Sequence, residues 1–314
     1  MSSQSGSASE LIAGMERGKS VLLGFGKEGR TLKRRIAPVG LVCRFFFFLI
    51  FNPFFRLFAG NSKKIYRRRK ALTIRLARLL FPFKSMGHEL EFSPCGHIFV
   101  INHPTLNDPL CAIIYALTCY PKREVVMPVN LPWFESICRY RQLLLRIGIN
   151  IVPILTPSTA ERLKSSKDVA SIQSLLVSNY ITELFQTVSK GGLVVIAQQA
   201  TRQRYLFTSA EQFESGPATL SPISLILTKL RRHSDIFNDI LVVPIGVIPH
   251  SSRASSSLNL FCKYQLNVGK PISAADLAAV QIPNQKRAAD FHILRRLAEL
   301  VPSEYHFAKI PSEI

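Results

Sequence analysis

From residue 90 onward, short apolar runs alternate with longer stretches in which apolar residues recur every three or four positions. The runs HIFVI (97–101), EVVMPV (124–129), INIVPI (149–154), GLVVIA (192–197) and ILVVPIGVI (240–248) have strand length and predict strands buried on both faces. Between them, DPLCAIIYALTCY, WFESICRYRQLLLRIG, DVASIQSLLVSNYITELFQTVSKGG and SPISLILTKLRRH predict helices, the third stopping at Lys190, Gly191 and Gly192. Alternating strands and helices predict βαβ units, hence an α/β fold with a mainly parallel sheet covered by helices. In such sheets chemistry collects in the loops beyond the strand C-termini.

The first third of the chain reads differently. RFFFFLIFNPFFRLF, Arg44 to Phe58, is its most apolar stretch, yet eleven residues separate Arg44 from Arg56. Spanning a bilayer takes about 20 apolar residues, so this segment is expected to dip into one leaflet rather than cross, bending at Pro53. Arg30, Lys33, Arg34 and Arg35 precede it, and Lys63, Lys64, Arg67, Arg68, Arg69 and Lys70 follow it, which puts both ends on the same face. IYRRRKALTIRLARLLFPF then places Ile65, Leu72, Leu76, Leu79 and Leu80 at helical spacing beside Arg68, Arg75 and Arg78, the pattern of a helix lying in a membrane interface. The expected organisation is a disordered or basic tail (1–35), a helical membrane-associating region (36–84), an α/β domain (85–275) and a C-terminal helical extension (276–314).

Charge sharpens this picture. Lys and Arg number 40 against 20 acids, and residues 1–90 alone hold 18 basic and 4 acidic side chains, +14 of the total of +20. Such a balance calls for an anionic partner: nucleic acid, an acidic membrane surface, or acidic substrates and carriers. The basic cluster is interleaved with Phe and Leu runs and no nucleic-acid module is recognisable, so an anionic membrane is expected and nucleic acid is not. Six cysteines, at 43, 95, 111, 119, 138 and 262, form no CxxC pair and no zinc-ligand spacing, so reduced thiols and no metal site are expected. A secretory signal is not evident at the N-terminus, and Glu10 and Glu16 weigh against an organelle transit peptide, leaving plastid targeting weakly supported. The expected location is the cytoplasmic face of a membrane, peripheral or monotopic. GFGKEG (Gly24, Gly26, Gly29) has dinucleotide-turn spacing, but RTLKRR follows it in place of an apolar helix, and no acid stands about 20 residues on.

VINHPTLNDPL (100–110) falls just past the strand at 97–101. If the chain turns back at Pro104, Asp108 accepts a hydrogen bond from one ring nitrogen of His103 and leaves the other to act as a base. The competing reading is a helix cap at Asn102 or Asp108 beside a merely polar histidine. Further blocks follow in order: GINIVPI, GGLVVIAQQATRQR, ILVVPIGVI and VGKPI at 268–272. With Asn102, His103 and Asp108 matching NHxxxxD, the chain resembles the glycerolipid acyltransferases, which include glycerol-3-phosphate and lysophosphatidate acyltransferases, over about residues 85–275. That resemblance implies His103 and Asp108 as the catalytic pair. It also implies Asn102, Thr105, Gln199, Thr201, Arg202 and Arg204 as substrate-binding residues, glycerol phosphate or a lysolipid as acceptor, and acyl carrier protein or coenzyme A thioester as donor, with no cofactor. With no GxSxG elbow in the chain, direct attack of the alcohol on the thioester is expected, without a serine acyl-enzyme.

The departures from the family pattern have chemical meaning. Where many members carry FPEGTR, this chain has Ala197, Gln198, Gln199, Ala200, Thr201 and Arg202, closer to the plastid-type soluble enzymes, whose loop also carries arginines two apart. Arg202 and Arg204 suit a phosphate dianion by paired hydrogen bonds. Ile154 stands where many relatives carry an arginine, with Arg162 as a compensating candidate. A non-phosphate lipid acceptor and a catalytically silent lipid-binding relative therefore stay open.

Overall fold

The computed structural model describes residues 7–17, 19–25, 28–31, 33, 63–90, 93–103, 108–163, 168–197, 222–232, 234–250, 262–281 and 288–303. In chain order the elements are α1 (Ala8–Glu16), α2 (Val21–Gly24), α3 (Lys63–Leu80), β1 (Phe83–Gly87), β2 (His97–Ile101), α4 (Asp108–Cys119), β3 (Val125–Asn130) and α5 (Leu131–Ile137). A 3-10 turn at Cys138–Tyr140 leads to α6 (Arg141–Arg146), β4 (Ile149–Ile154), α7 (Pro157–Arg162), α8 (Val169–Ser189) and β5 (Leu193–Ala197). The remainder comprises α9 (Pro222–Leu230), α10 (Ser234–Phe237), β6 (Leu241–Pro249), β7 (Tyr264–Val268), β8 (Ile272–Ser273), α11 (Ala274–Ala279) and α12 (Ala288–Glu299). The chain divides into two compact units, Met1–Leu76 with Val126–Leu184, and Ala77–Val125 with Phe185–Ile314.

The second unit holds a mostly parallel array in the order β1, β7, β6, β2, β5, with β8 also beside β6. β2 runs parallel to β5 and β6, and β1 parallel to β7, while β7 and β8 run antiparallel to β6. All five residues of β2 are buried, as are Leu193–Ile196 of β5 and Val242–Val247 of β6, which is why these strands read as unbroken apolar runs in sequence. α4 and α12 cover this array, burying Ala112, Ile113 and Ala116 of the one and Ile293, Leu294 and Leu297 of the other.

In the first unit α1 is closed at its N-terminus by a capping box: Glu10 N–H donates to Ser7 Oγ at 3.2 Å and Ser7 N–H donates to Glu10 Oε2 at 2.9 Å. Arg141 links α1 to β4 by donating to Glu16 Oε1 at 2.8 Å and to Asn150 Oδ1 at 3.1 Å, and Asn150 Nδ2–H donates on to Glu183 of α8 at 3.0 Å. The buried Ile12, Met15, Leu22 and Phe25 lie within the stretch expected as a disordered or basic tail, 1–35. A serine-rich lead sequence masks a short amphipathic helix whose cap and core contacts make up for its length.

Two expected domain edges also fall inside structure. The edge at 84/85 cuts β1, a strand with no apolar run of its own that exists through its pairing with β7, Phe83 opposite Tyr264 and Gly87 opposite Val268. The edge at 275/276 cuts α11, and the C-terminal helix α12 is tied to the sheet where Asn267 Nδ2–H donates to the Leu300 carbonyl at 2.7 Å. The apolar segment Arg44 to Phe58 lies outside the described residues. Among the described residues, no helix is long and apolar enough to cross a membrane.

β2 enters the sheet through a close backbone approach. Gly96 N–H donates to the Val188 carbonyl at 2.9 Å, and a Cβ at this position would stand 2.2 Å from the Gly192 carbonyl oxygen and 2.7 Å from Val188 Cα. Neither neighbour is a flexible side chain that can swing away. Gly96→Ala is therefore expected to destabilise the fold by about 2 kcal/mol or more, read as a lower urea midpoint with unchanged denaturant slope.

Candidate active site

Hydrogen bonds from both sides fix β2, and its last pairs set Ile101 beside Ala197 and Ile245. The next residue continues the ladder with a side chain in place of a peptide. Asn102 Nδ2–H donates to the Val247 carbonyl at 2.9 Å, and Val247 N–H donates to Asn102 Oδ1 at 2.6 Å. A carboxamide carries the same donor and acceptor as a peptide unit, so this double bond extends β2 onto β6 one residue past the end of the strand. Asn102 is 3% exposed, so water is a poor substitute for either partner. Its amide, expected among the substrate-binding groups, is engaged with main chain here.

That latch sets where His103 emerges, at the C-terminal end of the central strand. The His103 side chain is 17% exposed and its Nδ1 stands 3.4 Å from Oδ2 of Asp108, which is fully buried. Asp108 opens α4, where a negative charge complements the positive end of the helix, and Pro109 in the same first turn has its N–H-free nitrogen where no intrahelical bond is needed. The separation is long for a hydrogen bond. The sequence pair His103 and Asp108 is thus brought together, with Nδ1 turned to the carboxylate and Nε2 as the ring's other nitrogen.

Thr105, Gln199, Thr201, Arg202 and Arg204 lie outside the described residues. Ile154 is the last residue of β4, and Arg162 ends α7 with an exposed side chain; both belong to the first unit. Two residues near the pair were not singled out in sequence. Val247 contributes only backbone, 145 positions from its partner, and no side-chain signal marks it. Cys111 sits one turn into α4 from Asp108, where burial, then the negative charge of Asp108, pushes its thiol well up. It stays a neutral thiol near neutral pH and does not compete as a nucleophile.

A second histidine, His97, is fully buried at the start of β2 and serves structure. Arg123 Nη1–H donates to its Nδ1 at 3.1 Å and to the Cys95 carbonyl at 3.3 Å, while Tyr120 Oη lies 3.4 Å from its Nε2. Arg123 also stacks on the Tyr120 ring at 4.7 Å. Among the described residues no group of His, Cys, Asp and Glu is arranged to hold a metal ion.

No family model matches the chain, and no curated protein matches its sequence. Among solved structures, the fold is similar to that of the 1-acyl-sn-glycerophosphate (LPA) acyltransferase PlsC from Thermotoga maritima, at 14% identity and a TM-score of 0.44, over 88% of this chain and 100% of that one.

Removing the latch strands a buried N–H and a buried carbonyl. Asn102→Ala is expected to lower stability by about 2 kcal/mol or more, whereas His103→Ala, which breaks one long contact at a partly open position, is expected to cost less than about 1 kcal/mol. Thermal and urea unfolding of the two variants check the contrast.

Proposed function

We propose that the protein is a membrane-associated O-acyltransferase that moves a fatty acyl group from a thioester to a hydroxyl of glycerol-3-phosphate or 1-acylglycerol-3-phosphate. The observation that carries this reading is the His103–Asp108 pair, an imidazole 3.4 Å from a buried carboxylate at the mouth of a buried parallel strand. In the reaction Nε2 of His103 takes the proton of the acceptor hydroxyl as its oxygen attacks the thioester carbonyl. Asp108 holds Nδ1–H and stabilises the imidazolium that forms. Collapse of the tetrahedral adduct breaks the carbon–sulfur bond, and the departing thiolate recovers the proton from Nε2–H.

Asn102 serves as a positioning residue in this scheme, since its bonds to Val247 fix the point from which His103 projects. Arg202 and Arg204 would grip the acceptor phosphate, and Thr105, Gln199 and Thr201 are proposed as further substrate-binding residues. The donor is acyl carrier protein or coenzyme A thioester, both anionic, and no cofactor takes part. Anionic lipid is the proposed resting surface, on the cytoplasmic face, met by the basic residues of 1–90 and by α3, which exposes Arg75, Arg78 and Leu79, the last at 68%. Ile154 favours one second reading, an acceptor lipid without phosphate.

His103→Ala is expected to lower kcat/KM for acyl transfer by about 10²–10⁴-fold with vesicle binding unchanged, and Asp108→Asn to fall in the same direction. Radiolabelled acyl thioester, a panel of phosphate-bearing and phosphate-free acceptors, and thin-layer separation of products make the measurement; turnover near the parent level in His103→Ala rejects the mechanism. Binding to vesicles containing anionic lipid is expected to weaken several-fold between low salt and about 0.5 M, as screening shortens the reach of the basic side chains. Co-sedimentation across a salt series checks it.

A further inference from the structure

Glu135 projects from α5 onto the N-terminal segment and has both oxygens engaged there. Ser20 Oγ–H donates to Oε2 at 2.6 Å, and Leu22 N–H donates to Oε1 at 2.8 Å. Ser20 is the N-cap residue of α2, yet its own hydroxyl makes no capping bond; Glu135 supplies the acceptor for the helix start instead. Leu22 and Phe25, just beyond, are 1% and 4% exposed. Ser20 itself is partly exposed, and the two cationic residues ahead of it, Arg17 and Lys19, are exposed. A hydroxyl therefore combines reach from solvent, two preceding cations, and a carboxylate within hydrogen-bond distance.

We propose that Ser20 is a phosphorylation site whose modification releases the 19–25 segment from α5. Arg17 and Lys19, at three and one positions before the serine, fit a protein kinase whose peptide groove is acidic. In the step, Ser20 Oγ attacks the γ-phosphorus of ATP and its proton passes to the kinase's base. The bond from that phosphorus to the bridging oxygen breaks, and ADP leaves. The product carries about −1.5 to −2 charge at neutral pH and no longer offers the hydroxyl proton to Glu135. Phosphate and carboxylate then face each other where a 2.6 Å hydrogen bond stood, and like charges at that range repel. The weak dipole of a four-residue helix does not offset them.

The test uses the full chain, ATP and a set of kinases that select basic residues before serine, read by phosphopeptide mass spectrometry and hydrogen–deuterium exchange. Phosphate on Ser20, absent from Ser20→Ala, is expected, with exchange across 19–25 rising by about tenfold or more and exchange in β2 unchanged. Ser20→Glu is expected to reproduce the faster exchange. Adding Glu135→Gln to it is expected to restore slow exchange, because the introduced amide donates to the new carboxylate and still accepts from Leu22 N–H. No phosphate on Ser20 with any kinase of that specificity, or phosphate that leaves exchange at 19–25 unaltered, overturns the proposal.

Discussion

The site depends on a side chain acting as backbone. β2 is held by β5 on one side and β6 on the other, and a strand so enclosed has no freedom to choose where it ends. Asn102 follows that end and gives Val247 the donor and acceptor that a further peptide unit would have given. A shorter polar side chain reaches one partner at best, and an apolar one leaves both orphaned in a buried place. His103 inherits its position from this, and Asp108 meets it because α4 begins with a buried carboxylate in its first turn.

Electrostatics divide the labour between the two histidines of this region. His97 accepts a hydrogen bond from the Arg123 guanidinium at Nδ1, and its ring is sealed among Phe99, Tyr120 and backbone. Such a ring is a structural element, tied to a permanent cation. His103 faces a carboxylate instead and keeps part of its surface open. The proposed base function rests on this difference, a carboxylate beside one ring nitrogen and a side chain not fully enclosed.

Much of this was legible in the sequence because burial on both faces leaves a strong mark. The strands at 97–101 and 149–154 were placed at their observed limits, that read at 192–197 begins one residue later, and those read at 124–129 and 240–248 each lie one residue further on at both ends. β1 was invisible because FKSMG is four-fifths exposed and owes its extended form to β7. β7 itself alternates, burying Tyr264, Leu266 and Val268, and only its last residue was read, as the start of VGKPI. The helix read through 133–148 is broken at Cys138–Tyr140, where Cys138 turns inward and its thiol donates to the Met15 carbonyl at 3.3 Å, a partner over a hundred residues away. The approach of His103 to Asp108 was expected from their spacing together with the family resemblance, whereas the Asn102 latch was not, since its partner is a backbone group that no residue type announces.

The central claim is that Asp108 holds the proton on Nδ1 of His103 and so leaves Nε2 as the base. Nitrogen-15 NMR of imidazole-labelled protein near neutral pH tests it most directly, with His103 assigned by its substitution. The expected result is that the ring, in its neutral form, carries its proton on Nδ1 with Nε2 at the shift of an unprotonated nitrogen, and that Asp108→Asn removes this preference. A ring protonated at Nε2, or one whose tautomer ignores the Asp108 substitution, contradicts it.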